Sequence, residues 1–258
     1  MTSHINASLR ERWRQEADFH DSMVEHDTRW TAFRAYGLSE ASIRYARDLV
    51  GDLQDKVIVD IGCGDGGRTC SFVQAGATVL ACDISYGMAK AALRHLQDTA
   101  KGTPCITSCQ QMAAEEMAYA SNSIDIIFGI SVLHHLEPLL AIKEVKRVLK
   151  PGGRAIFVEP LNRNPLSNLY RALTPNRHSE NESPLDYSII GTLKNHFSIV
   201  RHREFYLLSL GAAIFSFLKC KRMFDWSLAG LIRADERLFV LAPWLRKYAW
   251  ITVIEIIK

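Results

Sequence analysis

The stretch VIVDIGCGDGGRT, residues 57–69, concentrates groups that could do chemistry. Gly62, Gly64 and Gly67 spell G-x-G-x-x-G behind an apolar run, the spacing of a nucleotide-binding turn. Glycines in such a turn let a ligand come close to the backbone. Asp60 stands just before the first glycine, and Asp65 lies inside the loop. A pyrophosphate is anionic and would face both acids. A ligand that carries an ammonium and hydroxyls suits them better. Asp83 closes the next apolar run, about 20 residues on, where an acid accepts hydrogen bonds from ribose hydroxyls. That last feature by itself serves a nicotinamide dinucleotide equally well.

These residues need a scaffold, and the hydropathy pattern supplies one. KVIVDIG, TVLACD, CITSCQ, SIDIIFGIS and RAIFVEP read as buried strands. GRTCSFVQAG, MAKAALRHLQDTA and LEPLLAIKEVKRVLKPGG read as the helices between them. Continuous apolar strands between amphipathic helices predict a parallel sheet covered on both faces, an α/β doubly wound fold. Residues 1–52 read as a polar helical cap with interleaved aromatics, Trp13, Phe19, Trp30, Phe33, Tyr36 and Tyr45. Residues 53–258 read as one domain with two insertions. The first, about 160–187, is rich in Asn, Pro, Ser and Arg, with about one helical turn near Tyr170, and long loops of this kind serve as lids. The second, about 207–248, is mostly helical and precedes a closing strand, AWITVIEIIK.

From about residue 55 to 160 the sequence resembles the class I S-adenosylmethionine-dependent methyltransferases. VDIGCGDG is similar to their first motif and ACDIS to their second. AAEEMAYASNSIDIIFGISVLHHL and EVKRVLKPGGRAIFVEP follow in the family's order. The resemblance implies a seven-stranded Rossmann-like sheet of order 3-2-1-4-5-7-6 with strand 7 antiparallel. It implies S-adenosylmethionine as cofactor and S-adenosylhomocysteine as product. It places Asp60, Gly62, Cys63 and Gly64 around the methionine part, Asp83 on the ribose, and Ile84, Met88, Ala114, Glu115 and Ile130 along the rest of the cofactor. Many relatives carry an acid before the alanine matched to Ala114. Here that place holds Ala113, and either Glu115 or backbone atoms would meet the adenine amino group.

Methyl transfer is an in-line displacement that needs an aligned acceptor and, for a hydroxyl or carbon acceptor, a base. By resemblance, His134 faces the site as base or acceptor orienter, His135 is structural, and the two point to different sides. The alternative for His134 is a histidine at a helix entry bonded to backbone. Glu159, at the C-terminal edge of the fifth strand, either orients an acceptor or pairs with an arginine of the first insertion. Ser131, Tyr170, Arg171, Arg177 and His178 are candidate acceptor contacts, and His20 could reach in from the cap. No NPPY-type tetrad follows the fourth strand, no cysteine stands at its end, and no Asp/Asn/His set suggests magnesium, so no metal is expected.

The bulk composition fits this picture. The chain has 258 residues, 48% of them hydrophobic and 23% charged, with a net charge of +3. That surplus is too weak to suggest nucleic acid. Six cysteines without a C-x-x-C pair read as free thiols of a reducing cytoplasm, and the polar N-terminus has no apolar signal core. FYLLSLGAAIFSFL, residues 205–218, is shorter than the ~20 residues of a membrane span. It reads as a core or lid helix, with peripheral membrane contact as the alternative. With Trp226, Phe239, Trp244 and Trp250, each of which reads singly as a core residue and together as an apolar roof, it makes a small, hydrophobic or lipid-like acceptor the leading expectation, methylated on O or C in preference to N. An NAD(P)-dependent oxidoreductase is the competing reading, since Tyr86 and Lys90 have Tyr-x-x-x-Lys spacing. A non-catalytic cofactor-binding protein is the third.

Overall fold

The computed structural model describes residues 7–24 and 37–258. Trp30, Phe33 and Tyr36 of the expected cap lie outside these residues. Among these residues two helices come first, α1 (Ala7–Val24) and α2 (Glu40–Val50). Alternating elements follow: β1 (Val57–Ile61), α3 (Cys70–Gln74), β2 (Thr78–Asp83), α4 (Tyr86–Ala100), β3 (Thr107–Gln111) and β4 (Ile124–Ile130). Next come α5 (Pro138–Val148), β5 (Leu149–Pro160), α6 (Pro165–Leu173), α7 (Ile189–Lys194) and β6 (Ile199–Phe205). The chain closes with α8 (Ile214–Phe217), α9 (Lys221–Leu241) and β7 (Ile251–Ile257). All seven strands form one sheet of order 3-2-1-4-5-7-6. The first five pair in parallel, and β7 runs antiparallel between β5 and β6.

Alternation within the strands explains why they read as continuous apolar runs. Ile58, Ile126, Phe128, Ile156 and Val253 face one core, against Ala46 and Val50 of α2, Phe72 of α3 and Leu96 of α4. Val59, Ile127, Ala155, Phe157 and Ile254 face the other, against Ile142 and Val145 of α5 and Leu193 of α7. Both faces are dry, so neither tolerates polar alternation.

The first insertion is more ordered than its composition suggests. Asn164 caps α6 by accepting the Ser167 N–H (2.9 Å), and Pro165 occupies the first helical position. These two residues convert a loop-like stretch into a nine-residue helix. In the second insertion, the buried carboxylate of Asp235 on α9 accepts the N–H groups of Leu207, Leu208 and Ser209. That contact turns residues 205–218 into a strand end, a 3₁₀ turn (Ser209–Ala213) and the short α8. Among the described residues, no helix is long and apolar enough to cross a membrane.

The glycine loop departs from the sequence pattern in one respect. Gly66 has φ +77°, and a Cβ there would lie 2.8 Å from the Ala92 backbone on α4. A Cβ on Gly67 would meet only the Asp65 side chain, at 3.3 Å. Gly66 is therefore the glycine that lets the loop lie against α4. Gly66→Ala should destabilise the fold by about 2–4 kcal/mol, from a left-handed backbone plus overpacking. Gly67→Ala should cost less than about 1 kcal/mol. Urea midpoints of the two variants check this, and equal losses would contradict it.

Candidate active site

One cavity of about 790 Å³ opens at the C-terminal ends of β1, β4 and β5, where open α/β sheets bind ligands. Asp60, Gly62, Cys63, Gly64 and Met88 form its floor. Ile130, Ser131, His134 and His135 form one flank, and Phe19 and His20 of α1 form another. Leu166, Tyr170, Arg171, Arg177 and His178 of the first insertion roof it, together with Leu210 and Ile214 of the second. The expected cofactor floor and acceptor contacts thus share a single space.

Not every expected residue is on its wall. Asp83 sits behind the glycine loop, where its two carboxylate oxygens accept the N–H groups of Gly64 and Ser85, each at 2.9 Å. Each oxygen keeps a second lone pair for a ribose hydroxyl. Ile84, Ala114 and Glu115 also lie off the wall, and Glu115 accepts the Glu137 N–H. Trp226 and Trp244 neither pack the core nor roof the cavity: they are 77% and 65% exposed. Phe239 is buried, and only Trp250 of this group reaches the cavity. Tyr86 and Lys90 stack on each other along α4 and are absent from the cavity wall.

Asp60 is buried, and its Oδ2 accepts the Thr69 hydroxyl at 2.6 Å. Burial pushes its carboxyl up to about 7, with Thr69 opposing the shift and Asp83 adding to it. A cationic group arriving beside Asp60 would draw it back to the ionised form.

At the β4 end, the fully buried Glu159 organises the flank. Its Oε1 accepts the N–H groups of Val132 and Leu133, both at 2.9 Å, and its Oε2 lies 2.7 Å from His134 Nδ1. A carboxylate that already accepts two backbone donors takes a third donor from the imidazole. Nδ1 therefore carries a proton. Nε2 looks into the cavity, 3.7 Å from Glu182. The expected pairing of Glu159 with an arginine is overturned. Arg171 pairs instead with Glu182, which also meets His178 at 3.1 Å. Burial works against ionisation of Glu182, but Arg171, His134 and His135 outweigh it and hold its carboxyl below the ordinary range.

The two histidines do not point to different sides. Their rings stack with 4.2 Å between centroids, at 40°. They lie in a 3₁₀ turn (Leu133–His135), where successive side chains step by about 120° instead of opposing one another as in a strand. Sequence reasoning missed Glu16 and Glu182. The spacing Glu16-x-x-x-His20 was visible as a helical pair, but nothing near Glu182 signals its role.

Comparison with known proteins bears on the fold that carries this site. Residues 59–157 match the family described as a methyltransferase domain. The ubiquinone biosynthesis O-methyltransferase of Nitrosomonas europaea is 31% identical over 130 residues, 50% of this chain and 53% of that protein. Its Bordetella avium counterpart is 28% identical over 137 residues, 52% of this chain and 55% of that protein. The chain thus spans about half the length of these curated relatives. The magnesium protoporphyrin IX methyltransferase of Synechocystis PCC 6803, crystallised with S-adenosylhomocysteine, superposes with TM-score 0.59 at 16% identity, covering 98% of this chain and 95% of that one. At that identity the likeness speaks to the fold.

Two outcomes follow from the buried acids. The folded protein holds the Asp60 proton more tightly than an unfolded chain, where an aspartate titrates near 3.8. The resulting stabilisation is complete below about pH 4 and is lost as pH rises through about 7. Asp60→Asn should reduce the fall in urea midpoint between pH 5 and pH 8, and an unchanged fall would refute the assignment. Glu159→Gln should fold, because its carbonyl still accepts both backbone donors. Its amide then donates to His134 Nδ1 and moves the ring proton to Nε2. Nitrogen-15 NMR of labelled histidine reads that switch directly, and an unchanged tautomer would overturn it.

Proposed function

We propose that this chain, which carries a class I S-adenosylmethionine-dependent methyltransferase domain, transfers a methyl group to a hydroxyl of a small hydrophobic acceptor. The observation that carries the reading is His134: Glu159 holds its Nδ1, and its ring lines the cavity between the glycine-loop floor and the apolar roof. The name of the curated relatives, ubiquinone biosynthesis O-methyltransferase, supports oxygen as the acceptor atom.

The floor fits the cofactor. Asp60 is a buried acid suited to an ammonium, and Gly64 leaves more than 4 Å clear where a Cβ would stand. Cys63, Met88 and Phe19 offer soft apolar surface nearby. S-adenosylmethionine supplies an electrophilic methyl group. The protein's task is to hold an acceptor in line and to remove its proton. His134 Nε2 takes that proton, and Glu159 fixes the tautomer and balances the imidazolium that forms. Tyr170, Arg171 and His178 position the acceptor's polar end, while Leu166, Leu210 and Ile214 enclose its apolar body. Leu208, Ile214 and Leu218 are exposed beside the roof, which supports an acceptor delivered from a lipid surface.

Release of S-adenosylhomocysteine, followed across a panel of hydrophobic phenols, alcohols and amines, tests the reading. Phenolic or alcoholic acceptors should turn over in preference to amines. His134→Ala should lower kcat by about 10²–10⁴-fold while leaving S-adenosylhomocysteine affinity nearly unchanged. Full turnover in that variant would return His134 to a structural role.

A further inference from the structure

Beside the cavity lies a second convergence of side chains that methyl transfer does not use. Glu16 and His20 lie one turn apart on α1 and so share a face of that helix. His135 reaches them from the 3₁₀ turn after β4. Glu16 Oε2 lies 3.0 Å from His135 Nδ1 and 3.6 Å from His20 Nε2. The three atoms stand within 4.8 Å of one another. Ligands about 2.0–2.1 Å from one tetrahedral ion stand about 3.3 Å apart, which these separations bracket.

The carboxylate is set up as a one-oxygen ligand. Glu16 is only 4% exposed, and its Oε1 accepts the Ser179 hydroxyl at 2.7 Å. Its Oε2 is aimed at the two imidazoles and meets them only as ion-pair contacts, at 3.0 Å from His135 Nδ1 and 3.6 Å from His20 Nε2, without an aligned hydrogen bond to either. A carboxylate oxygen and two imidazole nitrogens brought this close without aligned hydrogen bonds have the spacing of ligands that share one ion. Outer contacts that orient the ligands are also present. Ser179 fixes the carboxylate, and Arg12 donates to the carbonyls of His135 and Leu136 (2.7 and 3.1 Å), holding the turn against α1.

We propose that Glu16, His20 and His135 form a binding site for one divalent transition-metal ion of the zinc class. Two imidazoles and one carboxylate suit such ions, and three protein ligands leave a position open. His20 and His135 line the cavity, so that position faces it. The ion would tie α1 to the β4 turn. The site stands on its own geometry, whatever reaction the cavity supports. It departs from the expectation of no metal, which considered only the magnesium-type set of Asp, Asn and His.

The test is zinc binding by untagged full-length protein, stripped with chelator and followed by calorimetry. One equivalent should bind with micromolar or tighter affinity. His20→Ala and Glu16→Gln should each weaken binding at least tenfold, while Glu182→Gln leaves it within twofold. Thermal melts of the metal-free variants show that each is folded. His20 is partly exposed, so its removal is the milder change. Cobalt in place of zinc should give visible d–d bands without thiolate charge transfer. No uptake, uptake indifferent to His20 and Glu16, loss on Glu182→Gln alone, or a thiolate band pointing to Cys63 and Cys109 would each overturn the proposal.

Discussion

The buried carboxylate of Glu159 is the constraint on which the rest of the site depends. A carboxyl group with no exposure is costly unless it is fully hydrogen-bonded. Two backbone donors and one imidazole meet that demand here. In meeting it they fix the turn after β4. Ser131 takes a left-handed φ of +54° and is tied to β5 through the Val158 carbonyl. His134 is left with one tautomer, and His135 is carried round to face α1. The end of one strand thus sets the chemistry at the end of its neighbour.

Helix α1 is tied to the rest of the protein by a row of polar contacts. Along α1, Arg12, Glu16 and Asp21 reach the body of the protein in turn. Arg12 holds the β4 turn, Glu16 meets His135, and Asp21 accepts the Gly87 N–H at 2.9 Å and pairs with Ser85. A carboxylate at the N-terminus of α4 is also favoured by that helix's dipole. By contrast, α2 buries Ile43, Ala46 and Val50 in the core. Apolar burial is tolerant of small shifts, whereas hydrogen bonds fix orientation. The polar clasp therefore suits a helix whose residues Phe19 and His20 must line a cavity at a set angle.

The roof is built from two insertions with different anchors. Asn164 starts α6 and also donates to the Tyr248 carbonyl at 3.0 Å, joining the first insertion to the segment before β7. Asp235 gathers three backbone N–H groups and anchors the second. Between these anchors the roof offers leucines and isoleucine to the cavity, with Arg171, His178 and Glu182 as one charged cluster beneath. An apolar ceiling over a few convergent polar groups is the usual make-up of a small-molecule site.

Sequence by itself determined the sheet and the floor of the site. The two covered faces and the glycine loop with Asp60 rest on periodicity and on short-range backbone demands, which neighbouring residues express, whereas the strand order followed only from the resemblance to the methyltransferase family. The α6 start was also written locally, in Asn164-Pro165, although the polar composition around it read as loop. Tertiary structure alone decided the rest. Gly66, and not Gly67, became the close-packing glycine because α4 happens to cross above it. Glu159 found His134 instead of an arginine because the β4–β5 register brings those two strand ends together. Glu16, His20 and His135 converge because a polar helix folds back across the sheet edge. Such meetings depend on where distant segments land in space, and no spacing along the chain records that.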